Sequence, residues 1–203
     1  MPDGWVWCRF KDTAFIVRGG SPRPISNYIT TAKDGINWIK IGDTKNNSKY
    51  IYSTQQKIKK EGLKKSRYVE PGDFLLTNSM SFGKPYIMRT TGCIHDGWLL
   101  IKTPKSIINE DYLYHMLSSS YTYTSFKKSA RGAIVQNLNI DKVKGTIIPV
   151  PPLAEQKAIA KKVESLMQKV SQMEEEIKKS EENAQMLMQA ILKEAFKSKE
   201  KER

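Results

Sequence analysis

Cysteine is nearly absent: Cys8 and Cys93 are the only two in 203 residues, far apart and without a CxxC pair. That excludes a disulfide-dense secreted scaffold and a four-cysteine zinc site, and it points to a reducing compartment. Histidine is equally scarce. His95 alternates with Cys93 in an expected strand, but two ligands do not complete a tetrahedral set, and a buried thiol near a surface imidazole accounts for the pair. No apolar run approaches the roughly 20 residues that cross a bilayer, and residues 1–18 carry charges throughout, so a cytoplasmic chain without a membrane segment is expected. Catalytic signatures are missing too. There is no GxxxxGK[ST] phosphate cradle, no Asn/Asp-Pro-Pro-aromatic motif and no clustered set of nuclease carboxylates.

Glycine and proline both stop at Pro152. Beyond it, apolar residues recur at alternating steps of four and three: Ile159, Val163, Leu166, Val170, Met173, Ile177, then Ala184, Leu187 and Ile191. That repeat is a coiled-coil seam, interrupted by Ser180, and one polar seam residue can fix register. A helix over 153–197 would be roughly 65 Å long, more than internal packing of such a domain requires, so a partner helix is expected. Folding back onto its own domain is the plain alternative. The 39% of apolar residues suffices for one core before this helix.

Charge separates the same two parts. The chain carries +13, with 34 Lys and Arg against 21 Asp and Glu. From Leu153 onward the counts are 11 and 10, leaving 23 against 11 in the first 152 residues. A basic globe joined to a neutral rod suggests a polyanion reader with a separate assembly device, the alternative being a merely soluble basic surface.

Within the globe the loop from Arg18 to Pro24 holds Gly19, Gly20 and Pro22, and its Arg18, Ser21 and Arg23 can reach phosphates or base edges. Strands are expected at 38–41, with Ile39 and Ile41 on one face, and at 50–52, separated by a polar loop containing Lys45 and Asn46. A short basic helix from Ser53 or Thr54 runs through Lys57, Lys59 and Lys60 to Gly62. Lys64, Lys65 and Arg67 extend the basic run to a turn at 70–73. Strands at 74–77, 86–88 and 98–101 follow, with turns expected at Thr91-Gly92 and Asp96-Gly97 between the last two. The loop between the first two offers Asn78, Ser79, Ser81 and Lys84, a mixture suited to reading bases or to an ordinary hairpin. Asn109 caps a helix whose core positions are Tyr112, Leu113, Met116 and Leu117. Lys127, Lys128 and Arg131 form a basic loop, Gln136 and Asn137 carry amides suited to adenine or to capping, and 139–144 is a short helix ended by Gly145.

Several motifs together carry a resemblance: Pro2-Asp3-Gly4-Trp5, Gly19-Gly20-Ser21-Pro22, Trp38-Ile39-Lys40-Ile41-Gly42-Asp43, Pro71-Gly72-Asp73-Phe74-Leu75-Leu76 and Asn137-Leu138-Asn139. The most specific is Ile148-Pro149-Val150-Pro151-Pro152-Leu153-Ala154-Glu155-Gln156, a proline gate and Glu-Gln at the head of the heptad helix. The chain resembles the specificity (S) subunit of type I restriction-modification systems over essentially its whole length. The resemblance implies an α+β fold, a mixed α/β target recognition domain over 1–150 followed by a long coiled-coil helix over 151–203. It also implies a non-catalytic role as a DNA ruler. On that reading partner methyltransferase subunits use S-adenosylmethionine, and restriction subunits use ATP and magnesium. The chain itself needs no cofactor. Such subunits usually carry two recognition domains and two conserved helices, whereas one of each is present here, so a dimerising half-subunit and a fragment of a longer chain are both open.

A homodimeric DNA-binding regulator or decoy without enzyme partners is the alternative class, and a small nuclease built on Glu61, Glu70, Asp73 or Asp96 ranks third. Pairing two seams from two copies predicts an antiparallel homodimer and an interrupted palindromic site on double-stranded DNA. The rod bounds its length at about 19 base pairs.

Overall fold

The computed structural model describes residues 2–44, 48–78, 83–129 and 138–200, with the backbone alone at 128–129 and 197–200. In chain order the first strands are β1 (Val6–Arg9), β2 (Phe15–Arg18), β3 (Ile29–Thr30), β4 (Ile36–Ile39), β5 (Tyr50–Ile51) and β6 (Gln56–Ile58). Then come β7 (Arg67–Val69), β8 (Phe74–Thr77), β9 (Pro85–Met88), β10 (Gly92–Ile94) and β11 (Trp98–Lys102). Helices α1 (Glu110–Ser118), α2 (Ser120–Ser129) and α3 (Ile140–Gly145) precede β12 (Ile147–Val150) and the long α4 (Leu153–Glu200). The chain divides into two units, Met1–Ala160 and Lys161–Arg203.

The first unit contains two five-stranded sheets, ordered β3-β6-β4-β10-β7 and β2-β11-β8-β9-β5, and a β1-β12 ribbon. The β4-β10 and β5-β9 pairs are parallel. Strands β8 and β11 are apolar without alternation because neighbouring side chains point to opposite faces and both faces are covered. Phe74, Leu76, Leu99 and Ile101 join a core with Leu113, Leu117, Phe126 and Val143 of the helices. Leu75, Trp98 and Leu100 meet Ile39 and Ile94 of the other sheet. The Trp98 indole N–H also donates to the Ile39 carbonyl at 3.2 Å, tying the sheets together.

Local signals hold for the helices. The Asn109 side chain accepts the Tyr112 N–H at 3.0 Å, and α1 buries Tyr112, Leu113, Met116 and Leu117. Asn139 caps α3. The Tyr112 hydroxyl donates to the Pro149 carbonyl at 2.8 Å, and burial pushes its pKa up to about 12.

Four expectations give way to tertiary context. The basic helix expected from Ser53 or Thr54 is instead β6, paired on both edges with β3 and β4, followed by a 3-10 helix at Lys60–Lys65 that contains Gly62. Ile58, buried beside Trp38 and Cys93, makes the strand the better solution. The strand expected to reach Ile41 ends at Ile39, because the Lys40 N–H donates to Asp43 Oδ2 at 2.7 Å and bends 41–43 into a 3-10 turn. Gly92 opens β10 rather than a turn, since a Cβ there would lie 2.6 Å from the Asn37 carbonyl. Lys127 and Lys128 lie in α2, not in a loop.

The proline gate leads into α4 through Glu155 and Gln156. Glu155 accepts the Trp5 indole N–H at 2.9 Å. Gln156 is fully buried: its amide donates to the carbonyls of Ile107 and Pro151 at 2.9 and 2.8 Å, and its Oε1 accepts the Asn109 N–H at 2.8 Å. Ile159 packs on the helical core.

In the second unit α4 continues without a break. Leu166, Val170, Met173, Ile177, Leu187 and Ile191 are between 47% and 62% exposed, an apolar stripe facing solvent that only Ser180 interrupts. Val163 is half-buried and Ala184 exposed. Met167, Met188 and Leu192 widen the stripe. Elsewhere on the helix, Glu175 pairs with Lys179 and Lys178 with Glu182.

Candidate nucleic-acid interface

The loop after β2 lies flat on the β10-β11 turn. Gly19 and Gly20 donate to the carbonyls of Trp98 and Ile94 at 2.9 and 3.2 Å. A Cβ on Gly19 would fall 2.1 Å from the His95 carbonyl oxygen, and one on Gly20 2.9 Å from that of Lys65, so only glycine permits this approach. Asp96 then gathers the expected readers. Arg18 Nε donates to its carbonyl at 2.9 Å, Ser21 Oγ to Oδ1 at 2.8 Å and Arg23 Nη2 to Oδ2 at 3.0 Å. Partial burial of Asp96 opposes its ionisation, yet the Ser21 hydroxyl, a backbone N–H and Arg23 outweigh that and hold the carboxyl below its usual range.

Beside this knot, His95 is tilted between Trp38 and Trp98, with ring centroids 6.3 and 6.2 Å away. The N–H groups of Ile41 and Gly97 point at its Nε2 and Nδ1, and each neutral tautomer accepts one of them. Burial pulls the imidazole pKa below 6.5. A cavity of about 780 Å³ opens here, walled by Pro22, Pro24, Ile25, Trp38, Ile41 and His95, with Arg23 and Lys40 supplying positive charge.

Backbone hydrogen bonds bring Asn78, at the end of β8, and Leu138, before α3, to the same place. The Asn78 N–H donates to the Gly97 carbonyl, and the Leu138 N–H to the Asn78 carbonyl, both at 2.8 Å. At Gly83, whose φ is +73°, an added Cβ would lie 3.2 Å from the Phe126 ring of α2. The loop from Arg18 to Arg23, Asn78 at the end of β8 and Leu138 before α3 are therefore linked through Asp96 and Gly97. Asn78 itself is 2% exposed, and its Oδ1 has no partner among the described residues, so it ties the segments together instead of facing outward. Lys84 and Lys127 are exposed, their ammonium groups lying over the rings of Tyr86 and Tyr123. Lys45, Asn46, Ser79, Ser81, Arg131, Gln136 and Asn137 lie outside the described residues, as does the side chain of Lys128.

The basic run is partly committed to the fold. Lys57 and Lys59 donate to the carbonyls of Lys33 and Asn27, and Lys60 pairs with Asp34. Lys65 reaches the Tyr28 hydroxyl at 2.7 Å, and Arg67 the Ser66 carbonyl at 3.1 Å. Lys64 is exposed and has no ion-pair partner among the described residues. The acids considered for a nuclease are dispersed: Glu70 and Asp73 face Lys102, while Asp96 serves the loop. Among the described residues no group of three or more His, Cys, Asp or Glu could hold a metal ion. No helix there is long and apolar enough to cross a membrane.

Sequence reasoning missed Asp96 as an organiser, together with Trp38, Lys40 and His95 around the cavity. The Gly-Gly pair after Arg18 was the available signal, because consecutive glycines beside an arginine announce a close backbone approach.

The sequence pattern described as "Type I restriction modification DNA specificity domain" matches residues 2–182. The type I restriction enzyme EcoKI specificity subunit of Escherichia coli strain K12 is 23% identical over 199 residues, covering 95% of this chain and 42% of the relative. The chain thus spans about two fifths of the length of that curated relative. Among solved structures, a chain described for complex assembly and conformational transition of the type I R-M system superposes with a TM-score of 0.75 at 23% identity. That match covers 97% of this chain and 46% of the other. The HsdS subunit from Thermoanaerobacter tengcongensis gives a TM-score of 0.65 at 21% identity, over 84% of this chain and 39% of its own. These likenesses show the fold, and the pattern match across nearly the whole sequence shows the rest: the chain belongs to the type I restriction-modification DNA specificity family.

Proposed function

We propose that this chain reads one half-site of a duplex DNA target and thereby directs adenine methylation and DNA cleavage by partner methyltransferase and restriction subunits. The gathering of Arg18, Ser21 and Arg23 around Asp96, with Asn78 and Leu138 linked by backbone hydrogen bonds to the adjoining Gly97, within the unit that carries nearly all of the net positive charge, is the observation that supports it most directly. Chemistry is left to the partners, which hold S-adenosylmethionine, ATP and magnesium, and the work is cytoplasmic. The apolar stripe of α4 pairs with the stripe of a second copy, antiparallel. An exposed seam that recurs at alternating steps of four and three is buried by a second helix carrying the same repeat.

The deciding experiment is a methylation map of cells with and without this chain, combined with its co-purification. Adenine methylation at one interrupted palindrome that disappears with the chain, and a methyltransferase chain retained on it, are the expected results. An unchanged map with no retained methyltransferase overturns the reading.

A further inference from the structure

We propose that Arg18 is a preset guanine reader, fixed by the main-chain carbonyl of Asp96, and that the Asp96 carboxylate is the positioning group of the adjoining loop with Ser21 and Arg23. The inference rests on the DNA-recognition reading above and assigns it a residue and a base. Arginine offers five N–H donors in a planar fork, and it recognises guanine end-on, with two of them directed at O6 and N7. Arg18 uses its Nε–H on the Asp96 carbonyl at 2.9 Å. Its terminal amino groups have no partner among the described residues, and the side chain is exposed. A guanidinium held at Nε has its plane fixed while both terminal nitrogens stay available. Little rotational freedom is then lost when a base edge arrives.

Its mounting agrees with that role. Arg18 ends β2, opposite Leu99, so it rides on a strand instead of a free loop. Gly19, which tolerates no Cβ against the His95 carbonyl, presses the chain onto the turn that presents the Asp96 carbonyl. Arg23 differs, since a carboxylate oxygen occupies one of its terminal nitrogens at 3.0 Å and offsets its charge. A carboxylate amid basic loops weakens phosphate attraction, so Asp96 is out of place on a surface that only grips backbone. It suits one where Ser21 and Arg23 must be held in fixed positions beside Arg18, which the main-chain carbonyl of Asp96 holds.

The test enriches binding sites from a random duplex pool with the full 203-residue chain, then repeats this with Arg18→Lys, which keeps the charge and loses the fork. The wild type should select a site containing a guanine whose preference falls about 5- to 150-fold in Arg18→Lys, with the salt slope on non-target DNA unchanged. Replacing that guanine by 7-deazaguanine, which lacks the N7 acceptor, should weaken the wild type and leave Arg18→Lys unaffected. Asp96→Ala should raise affinity for non-target DNA while lowering discrimination. A selected site without guanine, or the same guanine preference in Arg18→Lys, overturns the inference and leaves DNA recognition standing. A lowered melting temperature of Arg18→Lys with unchanged guanine preference assigns Arg18 to packing alone and overturns it too. A wild type that enriches no sequence defeats the recognition reading, and this inference with it.

Discussion

Gln156 satisfies three backbone groups with one amide: the buried Pro151 carbonyl and the partly buried Ile107 carbonyl and Asn109 N–H. Each such group left unpaired costs roughly 1–3 kcal/mol, so Gln156→Ala should destabilise the Met1–Ala160 unit by about 3 kcal/mol or more in chemical denaturation. Gln156→Glu should also be destabilising, because a carboxylate accepts from Asn109 but cannot donate to Ile107 and Pro151. His95 gives a residue-scale prediction about pH. Burial lowers its folded pKa below the ordinary 6.5, so the unfolded chain takes up the proton first and folding stability is lost as pH falls through and below 6.5. Thermal melting at pH 7.5 and 5.5 should show a larger drop for the wild type than for His95→Gln. Parallel drops would assign the acid sensitivity to another group. At this scale the arginines and glycines of the loop were legible from type and spacing alone. Asp96 was not, because its significance lies in contacts with residues more than 70 positions away.

Among the elements, α4 was the most legible, since a sustained seam without glycine or proline leaves a helix few alternatives. Strand β6 was the least, because a basic stretch bounded by serine and glycine satisfies local rules for a helix and yields to pairing on both edges. Two predictions belong here. Replacing Val163, Leu166 and Val170 together with Asp should give monomers by sedimentation while the melting transition of the first unit is retained, since all three lie beyond Ala160. A wild-type chain that sediments as a monomer at tens of micromolar would remove the homodimer from the proposal. Replacing Lys64, Lys65 and Arg67 with Ala should lower affinity for all DNA sequences and flatten the salt slope by up to about three units, one for each lost phosphate contact. The intramolecular partners of Lys65 and Arg67 favour a smaller change, and an unaltered slope would take this patch out of the interface.

At the scale of the whole molecule, the proposed pairing through the apolar stripe would make sequence reading depend on association. The two-fold operator of a paired seam requires inverted half-sites, so duplexes carrying two copies of the preferred half-site in inverted orientation should bind more tightly than direct repeats, as measured by electrophoretic mobility. Equal affinity for the two orientations would separate recognition from pairing. Pairing through the stripe on α4 would also couple target choice to gene dosage. Well below the dimer dissociation constant the paired form falls with the square of the chain concentration, so halving the supply leaves about one quarter of the two-reader species. Occupancy of a complete target then declines more steeply than the chain itself, while binding to an isolated half-site declines only in proportion.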